Sequence, residues 1–173
     1  MKTGINAWSI RGEADFEEAF FKASEAGFDG IELNVDNGGA HALTLATTDA
    51  ELDSIRALSE KYKLPVSSIS TSLWGGKLGE GTADSLAYSE RLMKKQLDCA
   101  KKLGAKGILV VPGGMSRDVS LAKAYENSLS TLSELAPMAG EYGLFVGSPS
   151  SSTKRAMSKG EMKKLFQTFS TPT

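Results

Sequence analysis

Apolar residues along this chain recur with two different periods, and the periods alternate. Short apolar runs, some strictly alternating with polar residues, read as strands at Thr3–Ser9, Gly30–Val35, Val66–Ser70, Gly107–Val111 and Leu144–Gly147. Between them, apolar residues return every three or four positions, the spacing of a helix with one buried face. Helices are predicted from about Asp15 to Ala26, from Thr48 through Tyr62, from about Asp84 to Leu103, and from about Leu121 to Tyr142. A short helix from about Lys159 to Phe169 closes the chain. The expected stripes are Phe16, Ala19, Phe20, Ala23 and Ala26, then Leu52, Ile55, Leu58 and Tyr62, then Met93, Leu97 and Ala100. The fourth is Ala122, Tyr125, Leu129, Leu132, Ala136 and Ala139. Asp15 suits an N-cap, Thr48 with Glu51 forms a capping-box signature, and Gly27, Gly104 and Gly143 suit helix ends. Pro137 should kink or weaken the fourth helix.

A strand-helix unit repeating at roughly forty residues suits βα units packed as parallel strands. In such folds chemistry gathers at the carboxyl ends of the strands, so the residues there carry the functional question. Glu32 and Asn34 share one face of the second strand and are expected to point inward, with Ile31, Leu33 and Val35 under the helices. Glu32 reads either as a structural hydrogen-bond or ion-pair partner near the barrel mouth, or as a contact to a substrate hydroxyl or to a group that itself ligates a metal. Asn6 and Trp8 alternate in the same way on the first strand. Trp8 could stack on a sugar, but filling the interior is the expectation for it alone. Ser70, Thr71, Ser72 and Trp74 form a hydroxyl-rich rim with an aromatic neighbour, a set that would suit a polyol and is also common in ordinary loops. Trp74 to Gly81 reads as a flexible loop. His41, the one histidine, lies in the loop after the second strand and is expected to be solvated. Cys99 is expected in the core. Pro112-Gly113-Gly114 permits close backbone approach but is no phosphate loop.

Composition narrows the classes. The chain has 173 residues, enough for one domain but short of the roughly 250 of a complete eight-stranded α/β barrel. A net charge of −1 gives no field for nucleic acid or an anionic membrane, and no apolar run is long enough for a bilayer. One cysteine excludes an internal disulfide, and no Cys/His cluster suggests zinc. The start at Met1-Lys2-Thr3-Gly4 leads directly into a strand, so no signal peptide is expected and the expected location is cytoplasmic.

Several segments together resemble the sugar phosphate isomerase/epimerase proteins of the xylose isomerase-like TIM barrels. They are Gly4-Ile5-Asn6-Ala7-Trp8-Ser9, Ala26 to Asn34, Ser68 to Leu73, Lys95 to Ala105, Leu109 to Gly113, Leu135-Ala136-Pro137 with Glu141-Tyr142-Gly143, and Ser158 to Phe169. The resemblance implies a partial (β/α)8 TIM barrel of about five βα units, a single domain over residues 1–173 that stops before strands six to eight. It implies isomerisation or epimerisation of a ketose or its phosphate by proton transfer next to the carbonyl, with a divalent Mn, Mg or Co ion. The same resemblance places a metal-binding, catalytic glutamate at the end of the fifth strand. Here Val146-Gly147 is followed by Ser148-Pro149-Ser150, and Pro149 stands at the glutamate position. Ser148 to Arg155 is unlike the family and Glu161-Met162-Lys163-Lys164 returns to it, as a local reading-frame error or decay of an unselected copy would produce.

No metal ligand and no catalytic residue carries over, so the chain is expected to be inactive alone and not to bind the ion. The substrate-binding candidates are Asn6, Trp8, Glu32, Asn34, Ser70, Ser72 and Trp74. The alternative is a non-catalytic pseudoenzyme or a half-barrel that self-associates through open sheet edges. A flavodoxin-like sheet fits five units by length. The apurinic endonuclease branch of the barrel is disfavoured, because Ser70 to Ser72 and Pro112 to Gly114 stand where its histidines would be.

Overall fold

The computed structural model describes residues 2–111 and 118–147. Five parallel strands form one sheet: β1 (Gly4–Asn6), β2 (Gly30–Val35), β3 (Val66–Thr71), β4 (Gly107–Leu109) and β5 (Phe145–Gly147). The strands lie in sequence order, β1-β2-β3-β4-β5. A flavodoxin-like sheet would place its first strand between the second and third, so that alternative is excluded. Sequential right-handed crossovers put every connecting helix on the same face, the arrangement of a barrel wall.

The helices are α1 (Phe16–Glu25), α2 (Asp49–Lys61), α3 (Lys77–Glu80), α4 (Ala83–Leu103) and α5 (Leu121–Tyr142). Asp15 caps α1 through the Glu18 N–H, and Thr48 with Glu51 completes the capping box of α2. On the helix-facing side Ile31, Leu33, Val35, Ile69, Ile108 and Val110 pack with Phe20, Leu52, Leu97 and Leu132 into one core. Val66 and Ile69 both reach that core although three residues apart. A bulge permits it: Ile31 pairs with Val66, whereas the next residue, Glu32, pairs with Ser68. Between β3 and β4 the register partners are Ile69 and Ile108, and the Gln96 amide of α4 donates to the carbonyls of Ile69 (3.1 Å) and Leu109 (3.3 Å). Gly107 is required where it stands, because a Cβ there would lie 2.4 Å from the Phe145 carbonyl oxygen.

Four expectations need correction. The first strand ends at Asn6, not Ser9: the Asn6 side chain accepts the Trp8 N–H at 2.8 Å and turns Ala7–Ser9 into a 3-10 turn. The expected loop from Trp74 to Gly81 contains α3. That short helix then decides which face of α5 is buried. Gly79 lies against Ala124, with 3.1 Å between an added Cβ and the Ala124 Cβ, and Asn127 donates to the Gly79 carbonyl at 3.0 Å. The buried stripe is therefore Ala124, Thr131, Leu132, Leu135 and Ala139, and the expected Ala122, Tyr125 and Leu129 are exposed. Ala26, assigned to the buried face of α1, is exposed too, because the helix has ended and the chain turns at Gly27. The helix α5 runs through Pro137 to Tyr142. Pro112-Gly113-Gly114, the serine stretch from Ser148 and the short helix expected at Lys159–Phe169 lie outside the described residues.

Candidate functional site

The face of the sheet turned away from the helices is polar across β1, β2 and β3. Barrel interiors are usually filled by Val, Ile and Leu. Here strand register stacks hydrogen-bonding residues in rows instead. The lower row is Asn6, Glu32 and Ser68, which are register neighbours. Asn6 Nδ2 donates to one oxygen of Glu32 and Ser68 Oγ to the other, each at 2.5 Å. Both oxygens of this half-buried carboxylate are thus held by neutral donors, which offsets its desolvation.

The next row is Asn34 and Ser70, again register partners. Both are buried, and neither the Asn34 amide nor the Ser70 hydroxyl has a hydrogen-bond partner. A buried amide without partners is uncommon and costs free energy, so these atoms keep hydrogen-bonding capacity that the fold does not use.

The uppermost group lies at the carboxyl ends of the strands. Asp36, the first residue after β2, accepts from the Trp8 indole Nε1 at 2.7 Å, from Ser72 Oγ at 2.6 Å and from the Ser72 N–H at 3.4 Å. Trp8 does not fill the interior: it is 50 % exposed, because the 3-10 turn carries it past the end of β1. Ser72 is exposed beside it. Trp74 is fully buried in the core with its indole N–H unpartnered, so it is no part of an exposed rim. Structure therefore brings Asn6 with Glu32, Asn34 with Ser70, and Trp8 with Ser72, and removes Trp74 from the surface.

One functional residue was missed in the sequence and another was misassigned. Asp36 organises the mouth, and its position directly after a strand was the available signal. His41 is buried, not solvated, with Nδ1 2.7 Å from the Ala14 carbonyl and Nε2 3.0 Å from that of Ala7. Nothing in its spacing announces those partners, since both lie in an earlier loop. Cys99 sits in the core as expected, and burial pushes its thiol up to about 11. Among the described residues, no three of His, Cys, Asp and Glu converge as a cation site requires. No helix among them is long and apolar enough to cross a membrane.

An open parallel sheet with its helices on one face and its polar groups at the strand ends is the wall of an α/β barrel. Residues 20–147 match the family model of the xylose isomerase-like TIM barrel, and the chain belongs to that family. It is similar to several solved structures. The 3-keto-D-glucoside 4-epimerase from E. coli shares 20 % identity at a TM-score of 0.66, over 86 % of this chain and 55 % of that one. A D-psicose 3-epimerase in the presence of D-fructose shares 19 % at 0.71, over 98 % and 60 %. A D-psicose 3-epimerase with D-tagatose from Clostridium cellulolyticum H10 shares 17 % at 0.66, over 84 % and 51 %. These likenesses show the fold, and the chain spans between half and three-fifths of those structures. No curated protein matches the sequence.

Proposed function

We propose that this chain is the sugar-binding part of an isomerase/epimerase-type barrel and is not itself a catalyst of proton transfer. The observation that carries the reading is the Trp8–Asp36–Ser72 corner. A half-exposed indole, fixed at its Nε1, lies beside a carboxylate and a hydroxyl. A flat aromatic ring can cover the C–H face of a sugar while the polar neighbours take its hydroxyls. Asp36 makes no ion pair with a described lysine or arginine. An uncompensated carboxylate favours a neutral sugar over a sugar phosphate.

The divalent ion expected of the family finds no ligand set among the described residues. Pro149 at the position where the resemblance implies a glutamate supports the same reading. The test is titration of the purified chain with free D-fructose and D-tagatose, read at the Trp8 indole N–H, alongside a turnover assay with Mn²⁺. Saturable shifts that vanish in Asp36→Asn, with no sugar interconversion, are expected. Metal-dependent turnover above a metal-free control overturns the non-catalytic part, and absence of any Trp8 response overturns the binding part.

Phe145, 75 % exposed on the last described strand, favours a second reading in which the β5 edge associates with another chain. A monomer by light scattering at every concentration counts against it.

A further inference from the structure

We propose that His41 is the positioning residue of this mouth, a proton-dependent latch on the turn that presents Trp8. Its ring reaches two backbone carbonyls, Ala14 through Nδ1 at 2.7 Å and Ala7 through Nε2 at 3.0 Å. Carbonyl oxygens only accept. A neutral imidazole has one N–H, so it satisfies one of them and turns a lone pair toward the other, whereas the imidazolium donates to both. Ala7 opens the 3-10 turn that holds Trp8, and its carbonyl also accepts the Ile10 N–H that closes that turn. Ala14 directly precedes Asp15, the cap of α1. One buried ring thus joins the β2–α2 loop to both ends of the segment between β1 and α1.

The charged groups around it are committed elsewhere. Arg11 pairs with Glu18 at 3.5 Å, Asp15 accepts the Glu18 N–H, Glu13 is exposed, and Asp36 holds Trp8 and Ser72. The β2–α2 loop carries no other charge between Asp36 and Asp49, and Lys95 reaches that loop only at the Thr47 carbonyl. The two carbonyls therefore decide which ring state fits. The protonated ring holds the turn at Ala7 and the start of α1 at Ala14 together, whereas the neutral ring holds one of the two and leaves the other carbonyl without its donor.

The latch concerns Trp8 with or without a sugar, so it stands independently of the binding reading. Because His41 is the only histidine, and of the two tryptophans Trp74 is fully buried while Trp8 is half exposed, spectroscopy can follow both partners in the intact chain. Long-range ¹H–¹⁵N spectra would follow the protonation state of the His41 ring as pH is varied, and the Trp8 indole N–H would be followed in the same samples. The expected result is one shared midpoint, with the Trp8 step absent in His41→Gln. A Trp8 signal that stays flat while the ring titrates overturns the proposal, as does a step that persists in His41→Gln. If that variant does not fold, the wild-type comparison decides alone: coincident midpoints support the latch, and a Trp8 step centred in the carboxylate range assigns it to Asp36 and overturns it.

Discussion

Leu33 and Asn34 are neighbours on one strand, and they live in opposite environments. Leu33 is fully buried under the helices among Ile31, Val35 and Ile69. Asn34 is almost as buried, 2 % exposed, yet no partner satisfies its amide. Period two divides the strand between them: one face makes the fold, and the other holds polar groups that the fold does not need. The difference teaches that burial alone does not identify a stabilising residue. What matters is whether the buried atoms find complementary neighbours.

Breaking the packed face should have the largest effect. Leu33→Ala is expected to cost about 3–4 kcal/mol in urea denaturation, because it removes apolar atoms and leaves a cavity in a rigid core. A loss no larger than that of an exposed site would mean the face is not packed as described.

Cys99 sharpens the same side of the comparison through pH. Burial raises its thiol from 9.0 to about 11, so the unfolded chain ionises first as pH rises. Between these values the unfolded state binds fewer protons than the folded state, and stability falls with increasing pH. The loss approaches about 2–3 kcal/mol near pH 11. Wild type and Cys99→Ala should therefore converge in stability as pH is raised from 8.5 toward 10.5, about the window between those two values. Parallel curves would contradict a buried thiol.

The smallest effect is expected on the polar face. Asn34→Leu should be neutral or stabilising by up to about 1 kcal/mol, since it removes an unpaired amide without opening a cavity. A cost above that range would show that Asn34 has a partner. Binding of a sugar through this row would instead appear as weaker affinity at unchanged stability.

The strands and long helices were legible because their signals are local. Alternation, 3.6-residue spacing and caps at Asp15 and Thr48 depend on near neighbours in the chain. The inward face of Glu32 and Asn34 was legible for the same reason. Trp8 was misplaced because its N–H donates to the Asn6 side chain, which ends the strand at Asn6 and starts a turn. His41 was expected in solvent, and Asp36 was missed, because their partners lie 27 to 36 residues away. Only the sheet register and the loops between strands bring those groups together.

The sequence by itself determined the βα repeat, the family and the division of each strand into an apolar and a polar face. Tertiary structure decided what that polar face is made into. It placed Trp8 at the mouth, buried Trp74 and His41, and selected the Ala124 face of α5 by packing it on α3. The physical reason is the range of the interactions. Periodicity and capping are fixed within a few residues, whereas a hydrogen bond or a packed face is specified only once distant segments meet.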